Sequence, residues 1–330
     1  MKDYTYFKNK KILITGGLGF TGSNLAHRLV ELNAEVTLLD CLLEAHGGNL
    51  FNVDDIQTKV RIVQGDIRDE KIVNECVQGQ DILFNIAAQT SHTDSIQHPH
   101  LDVDINNKGQ INLLEACRKL NSNIRVVYCS TRAVYGKGAQ GLVNEQAPCH
   151  PLDIYAANKF VGEHYHKIYH SVHGLNCVIL RMGNSYGPRG QMKQPSFGIL
   201  NWFTRLAIEN QEIKMFGEGQ QVRDYIYIED AVEAFLALAS STISNAEIFN
   251  IGSGQGVALV DIVKEILRIA GKGRIQFVPW PEQNKKIDVG DFIADIQKIQ
   301  NTISWQPTIS LSDGIQKMIQ YYEKNKQHYW

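Results

Sequence analysis

The sequence predicts an α/β fold, with a doubly wound parallel sheet and a smaller, mostly C-terminal lobe. Over the first 130 residues, short apolar runs alternate with helix-like segments, as they do in parallel sheets with crossover helices. A glycine-rich turn joins the first apolar run to the first helical segment. After about residue 186 the pattern becomes less regular and the prolines fall into two groups, which indicates a second lobe.

The composition narrows the class of partner. The 330 residues carry 33 Lys and Arg against 35 Asp and Glu, so the chain lacks the basic field that binds nucleic acid or an anionic membrane. Its apolar runs are too short to cross a bilayer, and its charged N-terminus gives no sign of a signal peptide. The six cysteines are scattered without a CxxC pair, so we expect reduced thiols in a cytoplasmic protein. Small molecules are the expected partners.

The elements of the sheet can be placed in order along the chain. Predicted strands cover 11–15, 35–40, 60–65, 81–87, 125–130, 176–181 and 248–251. Predicted helices cover 23–32, 71–78, 104–119 and 155–170. The segment 246–251 should return to the main sheet, so the smaller lobe is interleaved with the larger one.

The turn after the first strand has the form of a dinucleotide-binding turn. A buried strand at 12–15 runs into glycines at 16, 19 and 22 and then into a helix. In such a turn Gly16 allows the bend, Gly19 lets the backbone approach a pyrophosphate, and Gly22 lets the helix pack closely on the strand. The N-terminus of the helix then faces the phosphates.

The second strand favours NAD over NADP as the cofactor. It ends in Asp40, close to the distance from Gly22 at which an acid binds the ribose hydroxyls of adenosine. A carboxylate there would repel a 2′-phosphate, and no arginine follows at 41–43. We therefore predict a Rossmann-type NAD-binding domain over 1–185 with a returning segment at about 222–255. The substrate lobe is predicted over 186–221 and 256–330.

A tyrosine and a lysine open the helix predicted at 155–170. Tyr155 and Lys159 are four residues apart, so both lie on one face of that helix. An ammonium beside a phenol favours the phenolate, as would an oxidised nicotinamide, so Tyr155 could act as a base near neutral pH. The strand at 125–130 leads into Ser130 and Thr131 at the edge of the sheet where ligands bind. One of these two hydroxyls could hydrogen-bond a substrate alcohol.

With these motifs the sequence resembles the extended short-chain dehydrogenase/reductase family, in its branch of NAD-dependent nucleotide-sugar epimerases and dehydratases. The resemblance covers nearly the whole chain. The matching segments are TGGLGFTG (15–22), GDIRD (65–69), NIAAQ (85–89), STRAVYG (130–136), YAANK (155–159), RMGNSYGPR (181–189), FGEGQQVRDYIYIED (216–230), FNIGSG (249–254), GDFIAD (290–295) and SWQP (304–307). Their order and spacing together are highly specific.

The resemblance implies a role for each matching position. Cofactor-binding residues would be Gly16, Gly19, Phe20 and Thr21 at the pyrophosphate, Asp40 at the ribose, Asp66 and Ile67 at the adenine, and Ala87, Ala88, Asn106, Tyr155 and Lys159 at the nicotinamide half. The catalytic residues would be Thr131, Tyr155 and Lys159. Substrate-binding residues would be Gln89, Thr131, Asn184 at the diphosphate, Arg223 and Asp291 at the nucleotide, and Phe197 and Phe216 around the base.

The resemblance also implies hydride transfer at C4 of a nucleotide-linked sugar. In the dehydratases of this branch Asp-Glu typically follows the serine or threonine, and sugar decarboxylases carry a Glu in the second place. Here these places hold Arg132 and Ala133, and neither can act as a carboxylic acid. A 4-epimerase, most simply of a UDP-hexose, is therefore expected. A reductase of a nucleotide-linked 4-keto-6-deoxy sugar and a 4,6-dehydratase remain open, whereas the presence of Tyr155 and Lys159 argues against a non-catalytic dinucleotide sensor.

Two departures from the family pattern leave the substrate open. Asp288 stands where an arginine is common, so a phosphate contact is lost or shifted to Lys285 or Lys286. The lysine frequent in hexose epimerases is absent from the segment 89–91. The nucleotide could be UDP, dTDP, GDP or CDP.

The remaining expectations concern partners. Apolar stripes on the helices at 104–119 and 155–170 indicate a homodimer, because relatives pair these helices, although the same stripes could pack on the sheet. His92, His98 and His100 form a polar cluster without metal-ligand spacing, so a surface or substrate-loop role is expected and no metal site. Neither nucleic acid nor membrane is an expected partner.

Overall fold

The structure, a computed structural model, describes residues 4–43, 46–137, 141–243, 245–282, 288 and 290–330. The chain divides into two compact units, each assembled from three segments. The first unit contains Met1–Thr131, Asp153–Arg181 and Val232–Phe249. The second contains Arg132–Leu152, Met182–Ala231 and Asn250–Trp330.

The strands of the described ranges are numbered in chain order. They are β1 Lys11–Thr15, β2 Glu35–Asp40, β3 Val60–Gln64, β4 Ile82–Asn85, β5 Arg125–Thr131, β6 Leu142–Val143, β7 Asn176–Met182, β8 Asn184–Tyr186, β9 Glu212–Phe216, β10 Val222–Tyr227, β11 Glu247–Ile251, β12 Gly256–Ala258, β13 Arg274–Val278 and β14 Ile293–Ala294.

The α-helices of the same ranges are numbered likewise. They are α1 Phe20–Glu31, α2 Glu70–Val77, α3 His92–Gln97, α4 Pro99–Val103, α5 Gly109–Leu120, α6 Ile154–His173, α7 Ile199–Ile208, α8 Ile228–Ala239, α9 Leu259–Ala270, α10 Gln297–Ile303 and α11 Leu311–Asn325. Short 3₁₀ segments at Leu50–Lys59 and Arg132–Tyr135 and a π-helical turn at Asp104–Lys108 lie between them.

A seven-stranded sheet in the order β11-β7-β5-β4-β1-β2-β3 forms the centre of the first unit. β1 pairs in parallel with β2 and β4, and the next pairs outward, β2 with β3 and β4 with β5, are also parallel. The predicted doubly wound Rossmann-type sheet is confirmed. The returning segment is strand β11, at the edge beside β7.

The central strands β1 and β4 of the sheet are apolar on both faces. Ile12, Leu13 and Ile14 are all fully buried in β1, as expected for a parallel sheet covered by helices on both sides. The same pattern continues in β4, where Leu83 and Phe84 have no exposed surface. The apolar runs that the sequence shows therefore become the buried central strands of the sheet.

Two helix starts differ from the predictions by more than one residue. α1 begins at Phe20, three residues earlier than the predicted start, because Gly19 already serves as its N-cap. The helix predicted at 104–119 consists of the π-helical turn Asp104–Lys108 followed by α5. Local π turns are frequent near functional sites, where they redirect a side chain, and this turn contains the buried Asn106.

The second unit is built around smaller sheets. A three-stranded sheet has the order β12-β10-β8, and two-stranded sheets pair β13 with β9 and β14 with β6. Trp305 is buried in this unit, and its indole Nε1 donates to the backbone oxygen of Asp230 at 3.1 Å. Among the described residues, no helix is both long enough and apolar enough to span a membrane.

Candidate active site

The glycine turn after β1 brings two backbone segments into close contact. Gly16 has a φ of +68°, a conformation that side chains with a Cβ rarely adopt. A Cβ at Gly16 would lie 3.0 Å from the Cα of Ala87, in the segment that follows β4. Ala87 and Ala88 are half-buried at this point. A side chain at position 16 would therefore collide with the backbone that follows β4.

The other two glycines of the turn shape the start of α1. A Cβ at Gly22 would lie 2.2 Å from the carbonyl oxygen of Gly16, so no side chain fits there. Gly19 is the N-cap and provides no side chain to accept from the first amides of the helix. The backbone N–H groups beginning at Phe20 and Thr21 therefore lack a side-chain cap at the N-terminus of α1. Such a terminus attracts anions.

Asp40 lies at the end of β2, beside this turn. Its carboxylate accepts from the backbone N–H of Leu18 at 3.0 Å and from that of Leu42 at 2.9 Å. Burial raises the pKa of Asp40, although these two hydrogen bonds oppose the shift. Each carboxylate oxygen can accept more than one hydrogen bond, so the group retains capacity for ribose hydroxyls.

The two residues predicted for adenine differ in their surroundings. Asp66 forms an ion pair with Arg68 at 2.6 Å, and although burial opposes it, this contact lowers the pKa of Asp66. Ile67 is buried in the core, where its side chain fills the space that a Cβ on Gly109 would need. Asp66 is therefore more accessible to a bound adenine than Ile67 is.

A buried amide cluster surrounds Asp102 next to the segment that contains Ala87 and Ala88. The Asp102 carboxylate accepts from Gln89 at 2.9 Å, from Asn106 at 2.9 Å and from Asn158 at 2.7 Å. Gln89 also bonds the backbone of Ser91 through both ends of its amide, so its side chain is fully engaged within the protein. The Oδ1 of Asn106 is buried and lacks a hydrogen-bond partner among the described residues. A bound group with an N–H donor would satisfy that oxygen.

Thr131 and Tyr155 are brought into contact in the first unit, and Lys159 lies on the same helix as Tyr155. The side chain of Thr131, the last residue of β5, hydrogen-bonds the Tyr155 hydroxyl. Lys159 lies one turn further along α6, is 2% exposed, and places its Nζ 4.4 Å from the centre of the Tyr128 ring. Its ammonium therefore gains a cation–π contact in place of water.

Without a bound cofactor, burial shifts the pKa values of Tyr155 and Lys159 toward their neutral forms. It raises the pKa of Tyr155, and the hydrogen bond from Thr131 only partly opposes that shift. It also lowers the pKa of Lys159. The role of Tyr155 as a base near neutral pH stays a prediction, and it depends on Lys159 together with a bound oxidised nicotinamide.

The neighbouring Ser130 has a different role from Thr131. Its hydroxyl donates to Glu163 at 2.6 Å, and Glu163 also forms a buried ion pair with Arg181 at 2.7 Å. Of the two hydroxyls left open by the sequence, Thr131 is the one that contacts Tyr155. Ser130 belongs to the network that joins β5, α6 and β7.

A histidine that the sequence placed in a polar loop lies against the tyrosine. The rings of His92 and Tyr155 meet edge to face with their centres 5.1 Å apart. The Nδ1 of His92 is 2.6 Å from Oδ2 of Asp153, and the other oxygen of Asp153 accepts from the backbone N–H of Ala156 at 2.8 Å as the N-cap of α6. Sequence reasoning missed this pair, because nothing local connects residues 92 and 153.

The first unit fits NAD. The glycine turn excludes side chains where a pyrophosphate would approach, and the N-terminus of α1 has no side-chain cap. The buried Oδ1 of Asn106 has no hydrogen-bond donor among the described residues. These three features stand along one edge of the sheet, after β1 and β4, where ligands of doubly wound folds bind.

Asn184, the residue expected at the diphosphate, is hydrogen-bonded to Arg132 in the second unit. Arg132 donates from Nε to Oδ1 of Asn184 at 2.9 Å, and Asn184 in turn donates to the backbone oxygen of Asp224 at 3.1 Å. The guanidinium of Arg132 also lies over the Phe292 ring, 5.4 Å from its centre. Burial, together with the like charge of Arg223, lowers the pKa of Arg132 to about 10.

Arg223 is already paired within the protein. Its guanidinium contacts Asp288 at 2.5 Å and donates to the backbone oxygen of Gly290 at 2.7 Å. Asp291 accepts from the backbone N–H of Val222 at 2.8 Å. Asp288, the residue that departs from the family pattern, is thus the partner of Arg223. Lys285 and Lys286, the alternative phosphate contacts, lie outside the described residues.

The aromatic residues expected around the base are half-buried in the second unit. Phe216 ends β9, with its ring centre 6.4 Å from that of Trp280. Phe197 lies in the short 3₁₀ segment before α7. Within the described part of the chain, no cluster of three or more His, Cys, Asp or Glu side chains could hold a metal ion.

Comparison with known proteins agrees with this geometry. Residues 12–252 match the model of the NAD dependent epimerase/dehydratase family. The chain belongs to this family. The NAD prediction is thereby confirmed at the level of the family.

Individual members of the NAD dependent epimerase/dehydratase family resemble the chain over nearly its full length. It is 34% identical to a Methanocaldococcus jannaschii protein provisionally named UDP-glucose 4-epimerase, over 95% of this chain and 99% of that one. It is 32% identical to the CDP-paratose 2-epimerase of Salmonella typhi, over 93% and 98%. The crystal structure of the Thermotoga maritima UDP-glucose 4-epimerase with UDP-glucose has a TM-score of 0.87 and 30% identity, over 96% and 99%.

Proposed function

We propose that the protein is an NAD-dependent nucleotide-sugar 4-epimerase that acts on a UDP-hexose through a 4-keto intermediate. The observation that carries this proposal is the contact of Thr131 with Tyr155, one turn before Lys159, in a site where Arg132 and Ala133 follow instead of carboxylic acids. The 4-epimerases among the similar proteins support it.

The chain's own residues would handle the proton of the reacting hydroxyl. Bound NAD supplies a hydride acceptor that can return the hydride. Tyr155 takes the proton from the 4-hydroxyl and gives it back when the alcohol re-forms. Thr131 holds the tyrosine oxygen and the substrate oxygen in one hydrogen-bonded group, while the ammonium of Lys159 favours negative charge on the phenol.

The nucleotide would bind to the second unit. Asn184 and Arg223 offer N–H donors to a diphosphate, and Asp291 could accept from the ribose or base. Phe197 and Phe216 offer aromatic faces for a uracil ring. This division assigns the cofactor to the sheet of the first unit and the nucleotide to the small sheets of the second.

The proposal includes a homodimer in the cytoplasm. Several large apolar side chains remain exposed on α5 and α6 of the first unit, and a second copy of the chain is the partner that would cover them. The exposed residues are Ile111, Leu120, Ile154, Ile168 and Val172.

A cofactor assay and a turnover assay test the function together. Denaturing the purified protein should release NAD, and the native protein should interconvert a pair of UDP-hexoses without added cofactor. We would offer UDP-glucose, UDP-galactose, their N-acetyl forms and UDP-glucuronate. Failure with all five would contradict the UDP version, and stoichiometric consumption of NADH with a 4-keto-6-deoxy sugar would identify a reductase instead.

A further inference from the structure

The His92–Asp153 pair has the arrangement of a general base and the group that orients it. Asp153 is 3% exposed, and both of its oxygens are occupied, one by Ala156 and one by His92. A carboxylate only accepts hydrogen bonds, so the Nδ1 of His92 carries a proton in this contact. The position that can gain or lose a proton is then Nε2.

His92 is partly exposed to solvent, unlike a histidine that is buried in a protein core. Its side chain is 41% exposed, whereas the Tyr155 it contacts is 8% exposed. Within the described residues, the hydrogen bonds of the His92 side chain are confined to Nδ1. Nε2 is therefore open beside the proposed base of the hydride reaction.

Hydrogen bonds of neighbouring side chains fix the position of this histidine relative to the tyrosine. His92 is the first residue of α3, which is capped by the side chain of Ser91. The segment before it is tied to the amide cluster around Asp102 through Gln89. Because Asp153 also caps α6, one carboxylate fixes both His92 and the start of the helix that carries Tyr155.

We propose that His92, oriented by Asp153, is a second acid/base of the site, and that it transfers a proton at a carbon next to the ketone of a 4-keto sugar. The hydrogens on carbons next to a carbonyl are acidic, and histidine is the side chain most often used for such transfers. The inference rests on the proposed function only for the class of sugar that binds.

The step balances without an oxidant or a reductant. Nε2 takes the proton, the C–H electron pair becomes the second bond of a C=C, and the carbonyl π pair moves to oxygen. The Tyr155 hydroxyl donates a hydrogen bond to that oxygen. In the reverse step Nε2 returns a proton to the same carbon, and in heavy water the returned hydrogen is deuterium.

Deuterium exchange tests this step separately from hydride transfer. The NAD-loaded protein would be incubated in heavy water with a UDP-linked 4-keto-6-deoxyhexose, and loss of the proton signals at C3 and C5 would be followed by NMR. We expect exchange at one of these carbons at least ~100-fold faster than in buffer, within the range for general acid–base catalysis.

Matched variants identify the group responsible. His92→Asn keeps a donor for Asp153 but lacks Nε2, and it should lower the exchange rate by at least ~50-fold. Asp153→Asn keeps an N-cap acceptor but removes the charge, and it should lower the rate by about tenfold. His98→Asn, at an exposed histidine immediately after α3, should exchange as the wild type does.

The outcomes separate this inference from the proposed function. If the protein interconverts UDP-hexoses but promotes no exchange, or if His92→Asn exchanges at the wild-type rate, the role of His92 is overturned. If exchange depends on His92 but no UDP-hexose pair is interconverted, the role of His92 stands and the 4-epimerase proposal fails.

Discussion

Tyr155 and Lys159 show how burial acts on two neighbouring residues in opposite senses. Removing a phenol from water raises its pKa, whereas removing an ammonium from water lowers its pKa, so each is shifted toward its neutral form. The proposed action of Tyr155 as a base therefore requires further positive charge near its oxygen. A bound oxidised nicotinamide would provide that charge, so we expect the tyrosine to act as a base only in the loaded protein.

Replacing Tyr155 by phenylalanine removes the proton acceptor and leaves the ring. We expect turnover of a nucleotide sugar to fall by roughly 10²–10⁴-fold while the protein stays folded. Steady-state rates and circular dichroism would be measured, with Tyr165→Phe on the same helix as control. Undiminished turnover in Tyr155→Phe would disprove the assignment of the base.

His166 is a buried histidine that should make stability depend on pH. It stacks on Tyr128 with ring centres 4.1 Å apart, and burial lowers its pKa to about 4. An unfolded histidine has a pKa near 6.5, so between about pH 6.5 and 4 the unfolded chain binds a proton that the folded chain does not. Stability is therefore lost as the pH falls through this window, at up to ~1.4 kcal/mol per pH unit.

Denaturant unfolding at several pH values would measure this dependence. His166→Gln should have a shallower slope than the wild type below pH 6.5, whatever its stability at neutral pH. His98→Gln, at an exposed site, should keep the wild-type slope. Equal slopes in wild type and His166→Gln would show that His166 does not carry the effect.

The predictability of the site depended on the distance between partners along the chain. Tyr155 and Lys159 were predicted because one helix turn joins them, and the glycine turn because its whole pattern is local. The contact of His92 with Asp153 spans 61 positions, and the pairing of Arg223 with Asp288 spans 65. Such contacts depend on how the elements pack, which no local pattern contains.

At the scale of elements, the glycine turn that joins β1 to α1 leaves no room for a side chain at Gly22. Gly22→Ala would place a methyl group against the carbonyl oxygen of Gly16. We expect a loss of about 1–3 kcal/mol in the free energy of unfolding and a smaller fraction of bound NAD. Gly47→Ala, where a Cβ would meet no neighbour, should change neither.

The bounds of strands and helices were predictable where the local sequence alone determines them. The strand at 11–15 was predicted with both bounds correct, because lysines precede its apolar run and glycines follow it. Helix starts were less certain, because a cap decides them: Asp153 caps α6 through its side chain, whereas Gly19 caps α1 without one. The π turn at 104–108 could not be predicted, because no local pattern of the sequence distinguishes it from a regular helix.

The contacts of Arg223 with Asp288 and Gly290 should control phosphate binding. Arg223 now shares its charge with Asp288, so a diphosphate must compete with that carboxylate. Asp288→Asn should tighten binding of UDP by about tenfold, the value of one freed charged hydrogen bond. Calorimetric titration would measure it, with Asp261→Asn on α9 as the control. Weaker binding would show that Asp288 orients Arg223 and does not compete for it.

At the scale of the whole molecule, the exposed apolar residues of α5 and α6 should define the oligomer. Ile168 and Val172 are 52% and 66% exposed in the single chain. The double change Ile168→Glu, Val172→Glu should convert a dimer to a monomer in sedimentation experiments. Phe277→Glu, at an equally exposed residue of the second unit, should leave the dimer intact. A dimer that survives the double change would place the interface elsewhere.

The late position of β11 in the chain has a consequence for synthesis on the ribosome. β7 is complete at residue 182, but its neighbour β11 spans Glu247–Ile251, and the ribosome adds only about 5–20 residues per second. For several seconds the nascent sheet has an unpaired strand edge, which is the feature that recruits other chains into aggregates. Translation speed between these two strands, and chaperones that cover the edge meanwhile, should therefore set the yield of native protein.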